Sequence, residues 1–508
     1  MLELANRSST AFKGVILYKA PVIWCLVLNS TLGMFLFGFI LSVLNTIQDY
    51  LSVEVYSWGK ADGRTRISVL NSILTVGAGI GAFVGGSAAQ RFGRRKSMII
   101  ADLIAIFGMG LTLVANYPLF VIGRMITGFC CGLNSSIVPV YVGEMAPLPI
   151  KGTTGSCNQL LVCLGSLVAY LFGFGLPTSG PGEGFLWQNW WRIMLGFPII
   201  TCLLRTLLLT TVFSYETPKY LVVNGHEEEA RASLSKIYVG DYATEQLIWL
   251  KREREEDHRS GTMSYKELFT KKYRMRFFIG CFVSLSQQMT GINALIFYST
   301  TIFKDSSKGD TNLAVLFTTL FAVLNLVATL FSGQVLKRFG RKPILVVGDL
   351  GMSLCILVIC ILSLESVGAS SFLPIPVFFY IIVFGLTYGP IVYVFSVEIL
   401  PDIGVGIAIL INWLGAFLVA LFFPPLSERA GNEVAFGVFG VYSLLALLVI
   451  IFGVKETRGL SQAEINDLYD PPVEDPDDIS DMQRILRRRS TRKLGADSNS
   501  GNRTEWAY

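Results

Sequence analysis

Three uncharged amides stand close together in an otherwise apolar stretch. They are Gln287, Gln288 and Asn293, within Leu285-Ser286-Gln287-Gln288-Met289-Thr290-Gly291-Ile292-Asn293-Ala294-Leu295-Ile296-Phe297-Tyr298-Ser299. A primary amide both donates and accepts hydrogen bonds. The run that holds them, Phe277 to Phe303, is long enough to cross a hydrocarbon core of about 30 Å. At that depth polar groups are costly unless they meet a partner or line a water-filled cavity. In a straight helix Gln288 and Asn293 would point about 140° apart. A break at Gly291 could turn both toward one cavity, as the broken helices of transporters do at mid-membrane. The same amides could instead tie neighbouring helices together.

The elements that must position them follow from composition. Of 508 residues, 52% are hydrophobic and 16% charged, against about 25% charged in soluble chains. The fold class is an all-α polytopic membrane protein. Twelve spans are expected, over 21–47, 67–90, 97–116, 118–141, 152–176, 191–213, 277–303, 311–334, 344–364, 375–397, 403–424 and 434–454. Basic clusters at Arg91, Arg94, Arg95 and Lys96, at Lys337, Arg338, Arg341 and Lys342, in the polar stretch 214–276, and at Arg484 to Arg489 fall on one side if the spans alternate. The positive-inside rule makes that side, and both termini, cytoplasmic. The net charge of +5 needs no nucleic-acid partner to explain it. The nine cysteines all sit in apolar runs and read as small hydrophobes. The two histidines, His226 and His258, lie in polar sequence, which excludes an intramembrane histidine relay or metal site. No cleavable leader is apparent.

An internal repeat organises the chain. Arg91-Phe92-Gly93-Arg94-Arg95 recurs 247 residues later as Arg338-Phe339-Gly340-Arg341-Lys342, and Asp102 recurs as Asp349. Asn45 maps within one residue of Asn293, and Glu144 and Pro147 recur, with slippage, as Glu398 and Pro401. Two six-span halves with a site at their interface are expected of such a repeat. The expected domains are an N-terminal segment 1–20, a six-helix bundle 21–213, linker helices 214–276, a second bundle 277–454 and a tail 455–508.

These motifs resemble the sugar porter family of the major facilitator superfamily, in particular its GLUT-type facilitative hexose transporters. The similarity runs over about residues 20–465. It is carried by Gly86-Ser87-Ala88-Ala89-Gln90-Arg91-Phe92-Gly93-Arg94-Arg95, Gly123-Arg124, Pro139-Val140-Tyr141-Val142-Gly143-Glu144 and Glu216-Thr217-Pro218-Lys219-Tyr220-Leu221 in the first half. In the second half it is carried by Gln287-Gln288 with Gly291-Ile292-Asn293, Gly333 with Arg338-Phe339-Gly340-Arg341, Gly389-Pro390, Asn412-Trp413 and Lys455-Glu456-Thr457-Arg458-Gly459.

The resemblance implies sugar contacts at Gln159, Gln287, Gln288, Asn293, Asn325 and Asn412, with Trp413 near the cavity and Phe297 and Tyr298 as aromatic lid residues over the outer entrance. A site that hydrogen-bonds a hydroxyl rejects analogues lacking it, because its own groups are left unpaired at roughly 1–3 kcal/mol each. Two departures concern the ligand: Tyr393 stands where the family usually has tryptophan, and Gly385 where many glucose carriers have glutamate. Glucose is still favoured over fructose. The resemblance further implies a cytoplasmic charge network of Arg91, Arg94, Arg95, Glu144 and Glu216, with Arg338, Arg341, Glu398 and Glu456 as its counterpart, closing the inner side when the cavity faces out. Val405 replaces a basic residue there, so the second half of this latch is expected to be weaker.

Energy coupling is also legible through the resemblance. Proton-coupled relatives carry an aspartate in span 1 after a Gly-Tyr pair; here Gly38-Phe39 is followed by Ile40. Facilitated diffusion follows unless Asp102 or Asp349 substitutes, and both are expected to pair with the Arg91 and Arg338 clusters or with helix ends. Arg205, within span 6, either snorkels or pairs internally. Beyond Asp467 an acidic run, Glu474 to Asp478, precedes a basic one, Arg484 to Lys493, with Ser490 and Thr491 as candidate phosphorylation sites. The sequons at Asn6 and Asn502 are discounted on topology. The expected protein is a monomeric, multi-pass cell-membrane hexose uniporter, without cofactor or metal and not an enzyme. Its rivals are a proton-coupled sugar or polyol symporter and a non-transporting sugar sensor.

Overall fold

The computed structural model describes residues 18–177, 185–260, 265–270, 273–364, 366–460 and 462–469. The sequons, the acidic and basic runs of the tail, and Ser490 and Thr491 lie outside these residues. Six long helices come first: α1 (Ala20–Tyr50), α2 (Lys60–Phe92), α3 (Arg94–Thr112), α4 (Tyr117–Met145), α5 (Lys151–Phe172) and α6 (Trp190–Thr211). Three further helices follow, α7 (Pro218–Val223), α8 (Glu227–Ile237) and α9 (Tyr242–Ser260). The second series is α10 (Arg274–Met289), α11 (Ile292–Ser306), α12 (Thr311–Phe339), α13 (Arg341–Ser363), α14 (Pro374–Leu386), α15 (Tyr388–Ile399), α16 (Asp402–Ala430) and α17 (Asn432–Gly453). A separate short helix, α18, spans Gln462–Tyr469.

Ten of these stretches are long and apolar enough to cross a bilayer. The other two crossings are α3, which opens on Arg94, Arg95 and Lys96, and the broken pair α10–α11. Helices are the natural answer to apolar sequence in lipid, because every backbone group must be bonded within its own segment. Some helices extend beyond the apolar spans, α2 starting at Lys60 and α16 ending at Ala430, whereas α3 and α5 stop short of theirs, at Thr112 and Phe172. Small residues let them approach: a Cβ added at Gly38 of α1 would lie 1.9 Å from the Val162 carbonyl of α5.

Two crossings are discontinuous. The first break falls at Gly291, with φ +90°. Its occupant must be glycine on two counts, the left-handed backbone and the Phe439 ring, which an added Cβ would meet at 2.7 Å. The second break, between α14 and α15 at Thr387, was not expected within span 375–397. Its cause is Pro390, which offers no N–H and crowds the carbonyl four residues earlier.

The repeated Arg-Phe-Gly-Arg motifs build matching corners. Gly93 and Gly340 turn the chain at φ +89° and +85°. Glu216 then accepts from the backbone N–H groups of Arg94 and Arg95, each at 3.0 Å, and Glu456 from those of Arg341 and Lys342 at 2.9 and 3.1 Å. A carboxylate here satisfies orphan donors at a helix N-terminus and complements its dipole. The linker folds onto the same end. α7 and α8 pack through Leu221, Val222 and Ala230 against Leu247 and Leu250 of α9. Lys19, just before α1, donates from its backbone to Ile237 O of α8 at 2.8 Å.

Candidate functional site

The break at Gly291 does what the spacing required. Asn293 Nδ2 donates to Gln288 Oε1 at 2.7 Å, although the two residues would diverge on a straight helix. From there a relay of amides runs inward. Gln288 Nε2 donates to Asn412 Oδ1 at 2.8 Å, and Asn412 Nδ2 donates to Gln287 Oε1 at 2.8 Å and to Ser284 O at 2.7 Å. Gln287 Nε2 ends the relay on the carbonyls of Tyr388 and Gly389, at 3.1 and 3.0 Å. Tyr380 of α14 buttresses the break by donating to Thr290 O at 3.0 Å.

A cavity lies beside this relay and takes walls from both halves. Phe37 and Leu41 of α1 and Gln159, Val162, Cys163, Ser166 and Tyr170 of α5 form one side. Gln287, Gln288, Ile292, Asn293 and Ile296 face them, with Phe321, Ala322 and Asn325 of α12, Phe384 of α14, and Gly389 and Tyr393 of α15. Five of the expected contacts, Gln159, Gln287, Gln288, Asn293 and Asn325, therefore share one cavity. Tyr393 is also at its wall, and Gly385 lies behind Asn325, whose Oδ1 an added Cβ would meet at 3.1 Å.

Asn412 and Trp413 are not at the wall. Asn412 is buried and acts as the middle of the relay. Trp413 stands one layer back, its ring tilted against Phe37 with centroids 5.6 Å apart and packed on Ala78, Ala82 and Ala416. Consecutive helical residues point about 100° apart, so the pair cannot share one surface. Phe297 is fully buried against Tyr298, edge to face at 6.1 Å. Tyr298 stacks on Phe423 and donates to Ala420 O at 3.0 Å.

Beyond the cavity, away from the arginine corners, the halves are bonded to each other. Asn45 of α1 donates to Ile296 O at 2.9 Å and to Ser299 Oγ at 2.7 Å, and accepts from Thr300 N at 3.2 Å. Its amide thus engages both members of an i, i+4 backbone pair of α11. Tyr170 donates to the same Ile296 carbonyl at 3.0 Å. Gln48 donates to Thr301 Oγ1 at 2.8 Å, Lys304 pairs with Asp49 at 3.1 Å, and Ser68 of α2 donates to Ala420 O of α16 at 2.9 Å.

At the arginine corners the ion pairs stay within each half. Arg94 pairs with Glu144 at 2.8 Å, and Arg341 donates from Nε to Glu398 at 3.0 Å. Glu398 also accepts from Thr457 Oγ1 at 2.7 Å, so the second-half cluster is not the poorer one despite Val405. Arg95 donates to Leu209 O at 2.7 Å. Arg91 and Arg338 make no ion pair among the described residues; their guanidinium groups lie over Phe92 and Phe339. Glu216 is partly desolvated, and burial pushes its carboxyl up from the usual range against the lowering effect of its backbone donors.

The buried acids depart from expectation. Asp102 does not pair with the Arg91 cluster. It takes Arg205 Nε at 2.8 Å and Thr206 Oγ1 at 3.1 Å. Arg205 also donates to Asn134 Oδ1 at 2.9 Å, and both members of the pair are wholly buried. Arg205 therefore pairs internally and does not snorkel, and Asn134 is one of its anchors. Asp349 is buried and has no equivalent cation among the described residues; Tyr388 is its polar neighbour.

Some of this was missed in the sequence although a signal existed. Gln159, Cys163, Ser166 and Tyr170 fall at i, i+4, i+7 and i+11, one stripe of a helix. Reading the stripe, not Gln159 alone, would have found Tyr170.

Residues 24–469 match the family model described as Sugar (and other) transporter. The glucose transporter GlcP of Staphylococcus epidermidis is 31% identical over 408 residues, covering 79% of this chain and 88% of that protein. The solute carrier family 2, facilitated glucose transporter member 3 of Homo sapiens is 30% identical over 464 residues, covering 87% and 91%. The inward open conformation of the xylose transporter XylE from E. coli superposes with a TM-score of 0.74 at 27% identity, over 88% of this chain and 100% of that one. A multi-pass membrane protein of this fold, with this match over most of its length, belongs to the sugar porter family of the major facilitator superfamily and is a sugar transporter.

Proposed function

We propose that the chain carries a neutral hexose, glucose foremost, down its gradient by alternating access. The observation that carries this reading is the amide relay Asn293–Gln288–Asn412–Gln287 at a cavity whose other walls present Gln159 and Asn325. Uncharged amides can serve each sugar hydroxyl as donor or acceptor, and Phe37, Phe321, Phe384 and Tyr393 supply apolar surface. The bonds from Asn45, Gln48, Asp49 and Tyr170 to α11 hold the far end shut. They part when the cavity faces that side, and incoming water takes over their donors, which keeps the two states near balance. By the positive-inside rule the far end is extracellular and the arginine corners, the linker and both termini are cytoplasmic, in a cell membrane.

Uniport is supported by the company of the buried charges. Arg124 meets the backbone carbonyl of Ile40, not a carboxylate, and Asp102 is taken up by Arg205. A second reading, proton-linked transport, draws on Asp349, buried and without a cation. It also draws on a relative described as a proton:xylose symporter, XylE. The test of the sugar site is uptake of labelled glucose into proteoliposomes. Uptake that is saturable and collapses in Gln288→Ala supports it; uptake unchanged in that variant, or absent in the wild type, overturns it.

A further inference from the structure

We propose that Tyr170 is a positioning residue of the outer gate: its hydroxyl latches α5 onto α11 while the far end is closed, and its loss tips the carrier toward the outward-open state. Three observations converge. The hydroxyl donates to Ile296 O at 3.0 Å, a bond between the two halves. That carbonyl also accepts from Asn45 Nδ2 at 2.9 Å, so α1 and α5 of the first half grip one atom of the second; its two lone pairs can serve both donors. Ile296 lies three residues beyond Asn293 on the same short helix, and both line the cavity. The grip therefore falls on the element that carries a proposed sugar contact.

Tyr170 is 1% exposed. A hydroxyl in that setting cannot be left without a partner cheaply. With the far end closed, Ile296 O is the partner; with it open, water reaches the hydroxyl. The bond thus exists in one state only, which is what a gate residue requires and what a purely structural bond would not do.

The proposal rests on the alternating-access reading but not on the identity of the sugar. The test is hydrogen exchange of the full chain in nanodiscs without sugar, comparing wild type, Tyr170→Phe and Asn45→Ala. Removing the hydroxyl while keeping the ring should raise exchange about fivefold in peptides covering Asn45–Tyr50 and Ser299–Lys304, the change expected for one net hydrogen bond. Exchange should fall in peptides covering the arginine corners, 88–97 and 333–342, and Asn45→Ala should move both ends in the same directions. If Tyr170→Phe raises exchange at both ends together, its role is structural; if it changes neither, the bond does not gate. Either result overturns the proposal. A wrong substrate would leave this pattern untouched and would show only in the uptake assay.

Discussion

Arg124 donates from Nη1 to the backbone carbonyl of Ile40 at 2.9 Å, and its guanidinium also reaches Asn71 Oδ1 at 3.4 Å. It is almost wholly buried and makes no ion pair with a carboxylate among the described residues. The cation is held by neutral acceptors at the position where resemblance places a proton-binding aspartate in symporters. Ile40→Asp should bring a carboxylate beside it and create a dependence on external pH that the wild type lacks; Ile40→Asn should not. Initial uptake rates between pH 5.5 and 8 check this, and a flat profile for the aspartate variant would contradict it.

Gln288 bridges Asn293 and Asn412. Gln288→Ala leaves both amides short of a partner and removes a proposed sugar contact. The expected loss in sugar binding is about 1–3 kcal/mol, or roughly tenfold or more in KM for glucose, with a modest fall in melting temperature because buried Asn412 loses its Gln288 donor. Gly291→Ala is expected to reduce uptake and stability together, because it strains the left-handed backbone and meets the Phe439 ring. Transport assays paired with thermal melts separate the two effects.

Arg205 and Asp102 are a fully buried pair. Removing one partner strands a charge, at about 3–5 kcal/mol, whereas replacing both by apolar residues is often neutral. Arg205→Met alone should sharply lower the melting temperature, and Asp102→Leu with Arg205→Met should recover most of it. Gly33 makes room for the guanidinium: a Cβ there would lie 1.7 Å from Arg205 Nη1. Gly33→Ala should therefore be damaging in the wild type and milder in the double variant. Additive effects would contradict the shared site.

Glu216 caps α3 through Oε1, which accepts from Arg94 N, Arg95 N and Thr217 N. A glutamine oxygen can keep these bonds, so Glu216→Gln should cost little and Glu216→Ala about 1–2 kcal/mol, as for a lost cap. Burial raises the carboxyl's affinity for a proton. A carboxyl that holds its proton more tightly folded than unfolded stabilises the fold most at low pH and loses that contribution as pH rises through its folded value. The wild type should therefore gain on Glu216→Gln as pH falls from 7.5 toward 5, read from paired melting curves.

Local signals were legible in the chain. Gly291, between the Gln287-Gln288 pair and Asn293, marked the break, and Arg-Phe-Gly-Arg at a constant offset marked the matching corners. Long-range partners were not. Arg205 and Asp102 are 103 residues apart, and nothing local tells a buried arginine which acid it meets. The break at Thr387 was hidden because no glycine sits there; the signal was Pro390, three residues on. The Asn412-Trp413 motif names neighbours in sequence, while the helix sends Asn412 to α10 and Trp413 to α2, where it backs the wall residue Phe37.

The most direct test of downhill carriage is uptake of labelled glucose by the wild type in proteoliposomes, with and without an inward proton gradient. The proposed uniport requires uptake that stops at equal concentrations and is indifferent to the gradient. Accumulation above equilibrium when protons are driven inward would contradict it and direct attention to Asp349.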